Sequence, residues 1–262
     1  MSFLALVDAF TDFPFQGNPA VVCLTKRPLE DSTMLSIARE MNVSETAFLY
    51  SVGEEDYVLR WFTPKLEISL CGHATLAAAH ILHAREGMSQ NISFQTKSGV
   101  LRAELLTKGG IRVDFPTIPF EELKDPSLTD SLNFPLLSPI FKAGKNLIIE
   151  VPYQFTLDYK PDLQILSSLN FDGLIMTSKS ENPSYDFISR YFAPNLGIPE
   201  DPVTGSAHCS LSAYWSKKLG KSEMKAYQAS SRGGNIFVEY HGERTLLTGK
   251  CSTIMQGELL IS

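Results

Sequence analysis

Glu45 is the residue of this chain whose setting best suits acid–base chemistry. It opens an otherwise apolar stretch, TAFLY, at positions 46–50. Burial disfavours the charged form of a carboxylate, and a base poised near neutrality can take a proton from carbon and return it, which contributes roughly 10² to 10⁴ in rate. Position alone leaves open that Glu45 is a surface residue at the start of a strand.

Two glycines, Gly72 and Gly205, each begin a stretch with the composition of a helix, and His73 and Ser206 follow them directly. Free N–H groups and the helix dipole at such a start favour an anion by roughly 0.3 to 1 kcal/mol, and a donor aimed at a developing enolate oxygen is worth roughly 3 kcal/mol. Two such starts facing one another would hold a substrate carboxylate and its enolate. Helix packing or a turn is the alternative for either glycine alone.

A repeated block precedes both glycines. Arg, an aromatic residue, Phe, a small residue and Pro occur in this order at 60–64 and again at 190–194, about half of the 262-residue chain apart. Solenoid repeats have a period of roughly 20 to 50 residues, so this longer period indicates two related lobes. We expect the lobes to pack against each other, with the site in the cleft between them.

The composition is that of a globular protein without a nucleic-acid partner. Hydrophobic residues make up 44% and charged residues 20%, the formal net charge is −6, and no basic run occurs. Asp8 ends the first apolar run, which favours a strand over a signal peptide, and no stretch reaches the ~20 apolar residues of a membrane helix. The four cysteines have no paired spacing, which disfavours structural zinc or a redox dithiol. We therefore expect a reduced, cytoplasmic protein.

Strand and helix signals alternate in each half and predict an α+β fold. Nearly all of 74–84 is apolar, which in a soluble protein predicts a buried central helix, and 206–219 is its counterpart. Each lobe is then a mostly antiparallel sheet or barrel wrapped around one central helix. The Pro-marked stretch at 116–139 is expected to bridge the halves. We place the lobes at 1–117 and 118–262, with the terminal strand free to cross between them.

Four short motifs resemble those of the phenazine-biosynthesis isomerase family (PhzF-like), in the family's order and spacing. They are FQGNPA at 15–20, SET at 44–46, CGHAT at 71–75 and EDPVTGS at 200–206. The resemblance extends over about residues 5 to 240. It implies the diaminopimelate-epimerase-like fold of two pseudo-symmetric lobes, which agrees with the internal duplication.

The resemblance also implies roles for individual residues. Glu45 matches the family's catalytic acid and base, and His73 and Asp201 match its substrate-orienting positions. Asn18, which on spacing alone is a turn residue, becomes a substrate-binding candidate. The remaining binding candidates lie beside these residues in the same motifs: Ser44, Gly72, Gly205 and Ser206.

The resembled fold also includes epimerases that use two facing cysteines, one in each lobe. The 133 residues that separate Gly72 from Gly205 relate Cys71 to Thr204. A threonine cannot take a proton from carbon near neutral pH, so a two-thiol racemase is disfavoured. Cys209 is interpreted as buried packing.

These observations predict an isomerase that moves a proton between carbons of a small carboxylate-bearing substrate. No Gly-rich phosphate loop and no metal-ligand spacing occurs, so we expect no cofactor and no metal. We expect no nucleic acid and no membrane as partner, and a homodimer is left open. A racemase or epimerase of a small amino or hydroxy acid, and a non-enzymatic binding or scaffold protein on the same fold, remain the alternatives.

Overall fold

A computed structural model describes residues 2–87, 91–107 and 109–260 of the chain. The chain forms two compact units, Met1–Phe115 with Leu246–Ser262, and Pro116–Thr245. Within the described ranges, every helix is too short or too polar to span a lipid bilayer.

The first unit begins with eight strands and two helices. In chain order they are β1 (Ser2–Ala9), β2 (Asn18–Leu24), α1 (Asp31–Met41), β3 (Glu45–Ser51), β4 (Asp56–Phe62), β5 (Glu67–Ile68), α2 (Gly72–Glu86), β6 (Asn91–Thr96), β7 (Gly99–Leu105) and β8 (Ile111–Pro116).

The second unit follows with eight strands and four helices, after which β17 begins in the second unit and ends in the first, and β18 lies in the first. They are β9 (Phe120–Glu122), α3 (Pro126–Leu132), β10 (Phe141–Ala143), β11 (Asn146–Glu150), α4 (Tyr153–Asp158), α5 (Leu163–Ser168), β12 (Gly173–Lys179), β13 (Phe187–Ala193), β14 (Ile198–Asp201), α6 (Gly205–Leu219), β15 (Glu223–Gln228), β16 (Gly234–His241), β17 (Arg244–Gly249) and finally β18 (Cys251–Leu259).

The two units pair their strands in the same order. In the first unit, neighbours run β18, β1, β2, β3, β4, β6, β7, and only β2–β3 and β4–β6 are parallel. In the second, they run β9, β10, β11, β12, β13, β15, β16, with β11–β12 and β13–β15 parallel. The predicted α+β fold of two similar, mostly antiparallel units is therefore confirmed.

Each unit folds around one buried helix, as the apolar stretches predict. Helix α2 packs against β1, β2, β3, β7 and β18, and helix α6 packs against β9, β15 and β16. Both helices begin at the predicted glycine and end before a glycine in the left-handed conformation, Gly87 at φ 59° and Gly220 at φ 67°. That conformation satisfies the last helical carbonyls at little cost for a residue without a Cβ.

The repeated arginine makes the same contacts in both units. The guanidinium of Arg60 binds Glu67 through two hydrogen bonds of 2.8 and 2.7 Å, and that of Arg190 binds Glu200 at 2.7 and 3.0 Å. Each guanidinium also lies over the Phe ring two positions along its strand, 5.2 Å from the Phe62 centroid and 4.9 Å from the Phe192 centroid. The duplicated block is thus a duplicated structural device.

The stretch at 116–139, predicted to bridge the halves, lies within the second unit. It contributes β9 and α3 to the second unit, where Leu128 and Leu132 lie in a hydrophobic core. Helices α4 and α5 were also not predicted, since each has only six residues and too few positions to show a helical period.

Candidate active site

The first turn of α2 carries a buried histidine, His73. Cys71 precedes the helix in an extended conformation, and Ala74, Leu76 and Ala77 then bury the helix in the unit's core. Because the core fixes the helix, the side chain of His73 has little freedom, and only 5% of it is exposed. The local sequence thus places an imidazole, a thiol and free backbone N–H groups at one helix terminus.

Glu45 lies at the start of β3, next to that helix terminus. Strands β2 and β3 run parallel with Ala20 opposite Glu45, so Asn18 at the start of β2 lies at the same end of the sheet. The side chain of Glu45 is 9% exposed. The sequence-predicted residues Asn18, Ser44, Glu45, Gly72 and His73 are therefore brought together in the first unit.

Hydrogen bonds orient the His73 ring. The amide nitrogen Nδ2 of Asn18 lies 3.1 Å from Nδ1 of His73, and Oγ of Ser44 lies 3.3 Å from Oδ1 of Asn18 and 3.4 Å from Nε2 of His73. In a neutral ring, an Asn18 amide that donates to Nδ1 leaves the ring proton on Nε2, which lies 3.1 Å from Oε2 of Glu45. In a protonated ring, Nδ1 donates to the Asn18 amide after an exchange of its O and N positions. Asn18 and Ser44 thus hold the His73 ring beside the carboxylate.

Oε2 of Glu45 is buried and, among the described residues, has no hydrogen-bond partner. Its separation from the His73 ring is that of an ion pair, but the angles do not meet those of a hydrogen bond. A buried acceptor without its bond costs about 1 to 3 kcal/mol, and such groups in native proteins are commonly found where function needs them. This oxygen is free to accept a proton.

Charge coupling alters the titration of the two neighbours of Glu45. Burial acts to lower the pKa of His73, but the Cys71 sulfur and the Glu45 carboxylate raise it, and the net pKa lies well above the ordinary value. Burial raises the pKa of the Cys71 thiol, the neighbouring His73 opposes this increase, and the charge of Glu45 adds to it. The pKa values of both groups beside Glu45 are therefore raised.

The predicted residues of the second unit form a separate group around the start of α6. Oγ1 of Thr204 donates to Oδ2 of Asp201 at 2.5 Å. Gln228 accepts from the Thr204 backbone N–H at 2.8 Å and donates to the Asp201 carbonyl at 2.7 Å. Gly205 then begins the helix, and Ser206 lies half-buried on its first turn. Asp201 is thus held by its own strand end and by a fully buried glutamine.

Two members of these groups were not singled out as site residues from the sequence. Thr204 precedes α6 as Cys71 precedes α2, which the 133-residue offset indicates. Gln228 ends β15, and no motif or spacing marks it. Its role becomes visible only when β15 pairs alongside β13.

Only the first unit carries an acid at the position of Glu45. Thr46 pairs with Phe62 in the β3–β4 ladder, and Leu174 pairs with Phe192 in the β12–β13 ladder, so the repeat relates Glu45 to Gly173. A Cβ at Gly173 would lie 2.4 Å from Oη of Tyr191, so the ring of Tyr191 fills the corresponding space. The two units are alike in fold and unlike in acid–base chemistry.

The model of one family, described as phenazine biosynthesis-like protein, matches residues 7–257. The chain belongs to this PhzF family. An uncharacterized isomerase of Halalkalibacterium halodurans is 46% identical over 98% of this chain and 97% of its own length. The crystal structure of a PhzF-family phenazine biosynthesis protein from Enterococcus faecalis covers all of both chains at 36% identity, with a TM-score of 0.92.

The fold alone is shared more widely. A hydroxyproline epimerase from Agrobacterium vitis covers 98% of this chain and 91% of its own, at 10% identity and a TM-score of 0.63. The chain thus matches a PhzF-family protein and a relative named an isomerase over nearly all of both sequences. With the epimerase it shares only the architecture. The family resemblance predicted from the four motifs is confirmed.

Proposed function

We propose that this PhzF-family chain is an isomerase that moves a proton between two carbons of a small carboxylate-bearing substrate, without a metal or cofactor. One observation carries the proposal, the buried Oε2 of Glu45 that accepts no hydrogen bond and lies 3.1 Å from Nε2 of His73. A carboxylate in this position has unused acceptor capacity next to a histidine whose pKa is raised.

In the proposed reaction, Glu45 takes a proton from a carbon next to an activating carboxylate or double bond. The electron pair left on carbon delocalises into an enolate, and Glu45 returns the proton at the second carbon of the conjugated system. Backbone N–H groups of the first turn of α2, beginning at Gly72, are suited to stabilise the enolate oxygen. His73, held by Asn18 and Ser44, supplies charge and orientation.

Asp201 keeps the substrate-orienting role that the family resemblance implies, and Gly205 and Ser206 stay substrate-binding candidates. The hydrogen bonds from Thr204 and Gln228 hold Asp201 in a single arrangement, as a positioning residue requires.

A single acid favours an isomerase over a racemase. A two-base racemase needs an acid–base group on each face of the substrate, and the repeat places Gly173 where a second copy of Glu45 would be. Thr204 likewise stands where a second thiol would be. The one-carboxylate mechanism therefore agrees with the asymmetry of the two units.

The substitution Glu45→Gln tests the assignment. Glutamine keeps the shape of the side chain and removes the proton acceptor, so conversion of any substrate found in a panel of small unsaturated and cyclic carboxylic acids should fall by roughly 10² or more. Product formation is followed by NMR, and binding of the acid by calorimetry should survive. Glu40→Gln, at an exposed glutamate of the same unit, is the control and should convert the acid at the normal rate. Near-normal turnover of Glu45→Gln would reject the assignment.

Substrate deuterated at the reacting carbon distinguishes the alternatives. One carboxylate that takes and returns the same proton should leave part of the label in product formed in ordinary water. Two bases would deliver a different proton, so complete loss of label would favour the racemase. No turnover of any acid, together with a stable protein complex isolated from cell extract, would favour the scaffold.

A further inference from the structure

Trp61 carries a buried hydrogen-bond donor close to the proposed acid–base residue. It lies on β4, the residue is 1% exposed, and among the described residues its indole Nε1–H has no hydrogen-bond partner. An indole N–H can only donate, and a buried tryptophan usually finds an acceptor for it, because a buried donor without a partner is costly. The position of this donor therefore indicates what it binds.

The strand register places Trp61 on the same face of the sheet as Glu45. Ala47 lies opposite Trp61 in the antiparallel pair of β3 and β4, and residues two positions apart on a strand share a face. Glu45 is therefore a diagonal neighbour of Trp61, at a separation that an aromatic and a long side chain can bridge. Oε2 of Glu45 is a buried acceptor without a hydrogen bond, so an unused donor and an unused acceptor occupy neighbouring positions.

Tyr191 is the counterpart of Trp61 in the second unit, since each directly follows the repeated arginine. The ring of Tyr191 passes over Gly173, where a Cβ would lie 2.4 Å from Oη. Its hydroxyl donates to Oδ1 of Asn146 at 2.9 Å, and Asn146 lies opposite Gly173 on the parallel strand β11. The polar end of an aromatic side chain at this position thus reaches over the next strand towards the strand beyond it.

In the first unit, Glu45 stands where the second unit has the glycine. Ala20 lies opposite Glu45 on β2 and corresponds to Asn146, which lies opposite Gly173. Alanine offers no side-chain acceptor, so the carboxylate of Glu45 takes over the place of the polar partner. The terminal torsions of both side chains, χ3 of Glu45 and χ2 of the indole, have broad energy wells and allow the two groups to meet.

We propose that Trp61 is a positioning residue of the proton transfer, whose indole N–H donates a hydrogen bond to the Glu45 carboxylate. This inference rests on the proposed role of Glu45 as acid and base. The carboxylate then has two supported orientations, one beside Nε2 of His73 and one beside Nε1 of Trp61, which suits a group that takes a proton at one carbon and returns it at another.

The indole N–H signals test this contact by NMR without any substrate. The chain has two tryptophans, so labelling with ¹⁵N-tryptophan gives two indole signals, of which Trp61→Phe removes one and thereby assigns both. The Trp61 indole proton should lie further downfield in the wild-type chain than in Glu45→Leu, which has no side-chain acceptor. The signal of Trp215, which donates to Oγ1 of Thr177 at 2.9 Å, is the internal reference and should be unchanged.

Turnover measures the consequence for the reaction. With an acid that the wild-type chain converts, Trp61→Phe should lower kcat about 10-fold and leave KM within about 2-fold, because the donor orients Glu45 and does not hold the substrate. Trp61→Tyr supplies a hydroxyl donor, as at position 191, and should recover part of the loss. Trp215→Phe, at a buried tryptophan of the second unit, is the control and should retain kcat.

Three results would overturn the proposal: a Trp61 indole signal that Glu45→Leu leaves in place, a normal kcat in folded Trp61→Phe, or a Trp61→Tyr variant no faster than Trp61→Phe. A raised KM with unchanged kcat would assign Trp61 to substrate binding instead. Circular dichroism and the melting temperature verify that each variant is folded. The isomerase is tested separately, since the Glu45→Gln turnover test does not depend on Trp61 and the NMR comparison needs no turnover.

Discussion

Acidification should destabilise the second unit through His208, a histidine on α6 that is buried without charge. Nδ1 of His208 donates to the Thr204 carbonyl at 2.8 Å, Nε2 lies 3.3 Å from Oγ of Ser189, and the ring stacks on Phe187. Burial lowers the pKa of His208 to about 4. Because Thr204 also binds Asp201, the same contacts hold the segment that carries the proposed orienting residue.

The magnitude follows from the difference between the two states. The pKa of an unfolded histidine is about 6.5, so the unfolded chain binds a proton before the folded one as the pH falls. Stability is therefore lost below pH 6.5, and the loss is complete below about 4. Each pKa unit corresponds to 1.36 kcal/mol, which gives about 3 kcal/mol in total and about 2 kcal/mol between pH 7 and pH 5.

Urea unfolding at pH 7 and pH 5 measures this loss. The chain has two tryptophans, so in a Trp61→Phe background Trp215, which stacks on Phe187, reports on the second unit alone. His208→Gln should remove about 2 kcal/mol of the pH dependence, whereas His241→Gln, at an exposed histidine of that unit, should leave it as it is. An equal pH dependence with and without His208 would refute the reasoning.

Two further predictions concern a close backbone contact in the first unit and the ion pairs of the repeated arginine. Gly249→Ala should lower the free energy of unfolding by about 1 to 3 kcal/mol, because its Cβ would lie 2.5 Å from Cδ1 of Phe10. The control is Gly257→Ala, where a Cβ would meet nothing within 4 Å, and it should change the free energy of unfolding by no more than about 0.5 kcal/mol. Equal effects of the two substitutions in urea titrations would contradict the close approach at Gly249. Arg190→Met should cost about 3 kcal/mol and Arg60→Met about 1 kcal/mol, since the side chain of Arg190 is 9% exposed and that of Arg60 is 23% exposed. The reverse order in the same titrations would show that burial does not govern these ion pairs.

Local sequence determined the helices whose apolar stretches are long and are bounded by glycines. Helices α2 and α6 could be predicted because each has fifteen residues, an apolar interior, a starting glycine and a glycine after its end. The duplication could be read as well, because Arg60 and Arg190 repeat within the same five-residue block and make the same contacts. The four family motifs, which are short local sequences, singled out Glu45, His73 and Asp201 as candidate site residues.

Tertiary structure alone decided the contacts between segments far apart in the chain. Strand β18 pairs with β1 at the other end of the sequence, and the buried Gln228 reaches Thr204, without any local pattern that indicates either partner. Cys71 and Glu45 lie 26 positions apart, so their meeting with His73 depends on how β3 packs beside α2. Sequence periodicity records which face of an element is buried, and it does not record which other element buries it. The chemistry of the single residues could therefore be read from the chain, whereas the meeting of Glu45, Cys71 and His73 and the support of Asp201 required the fold.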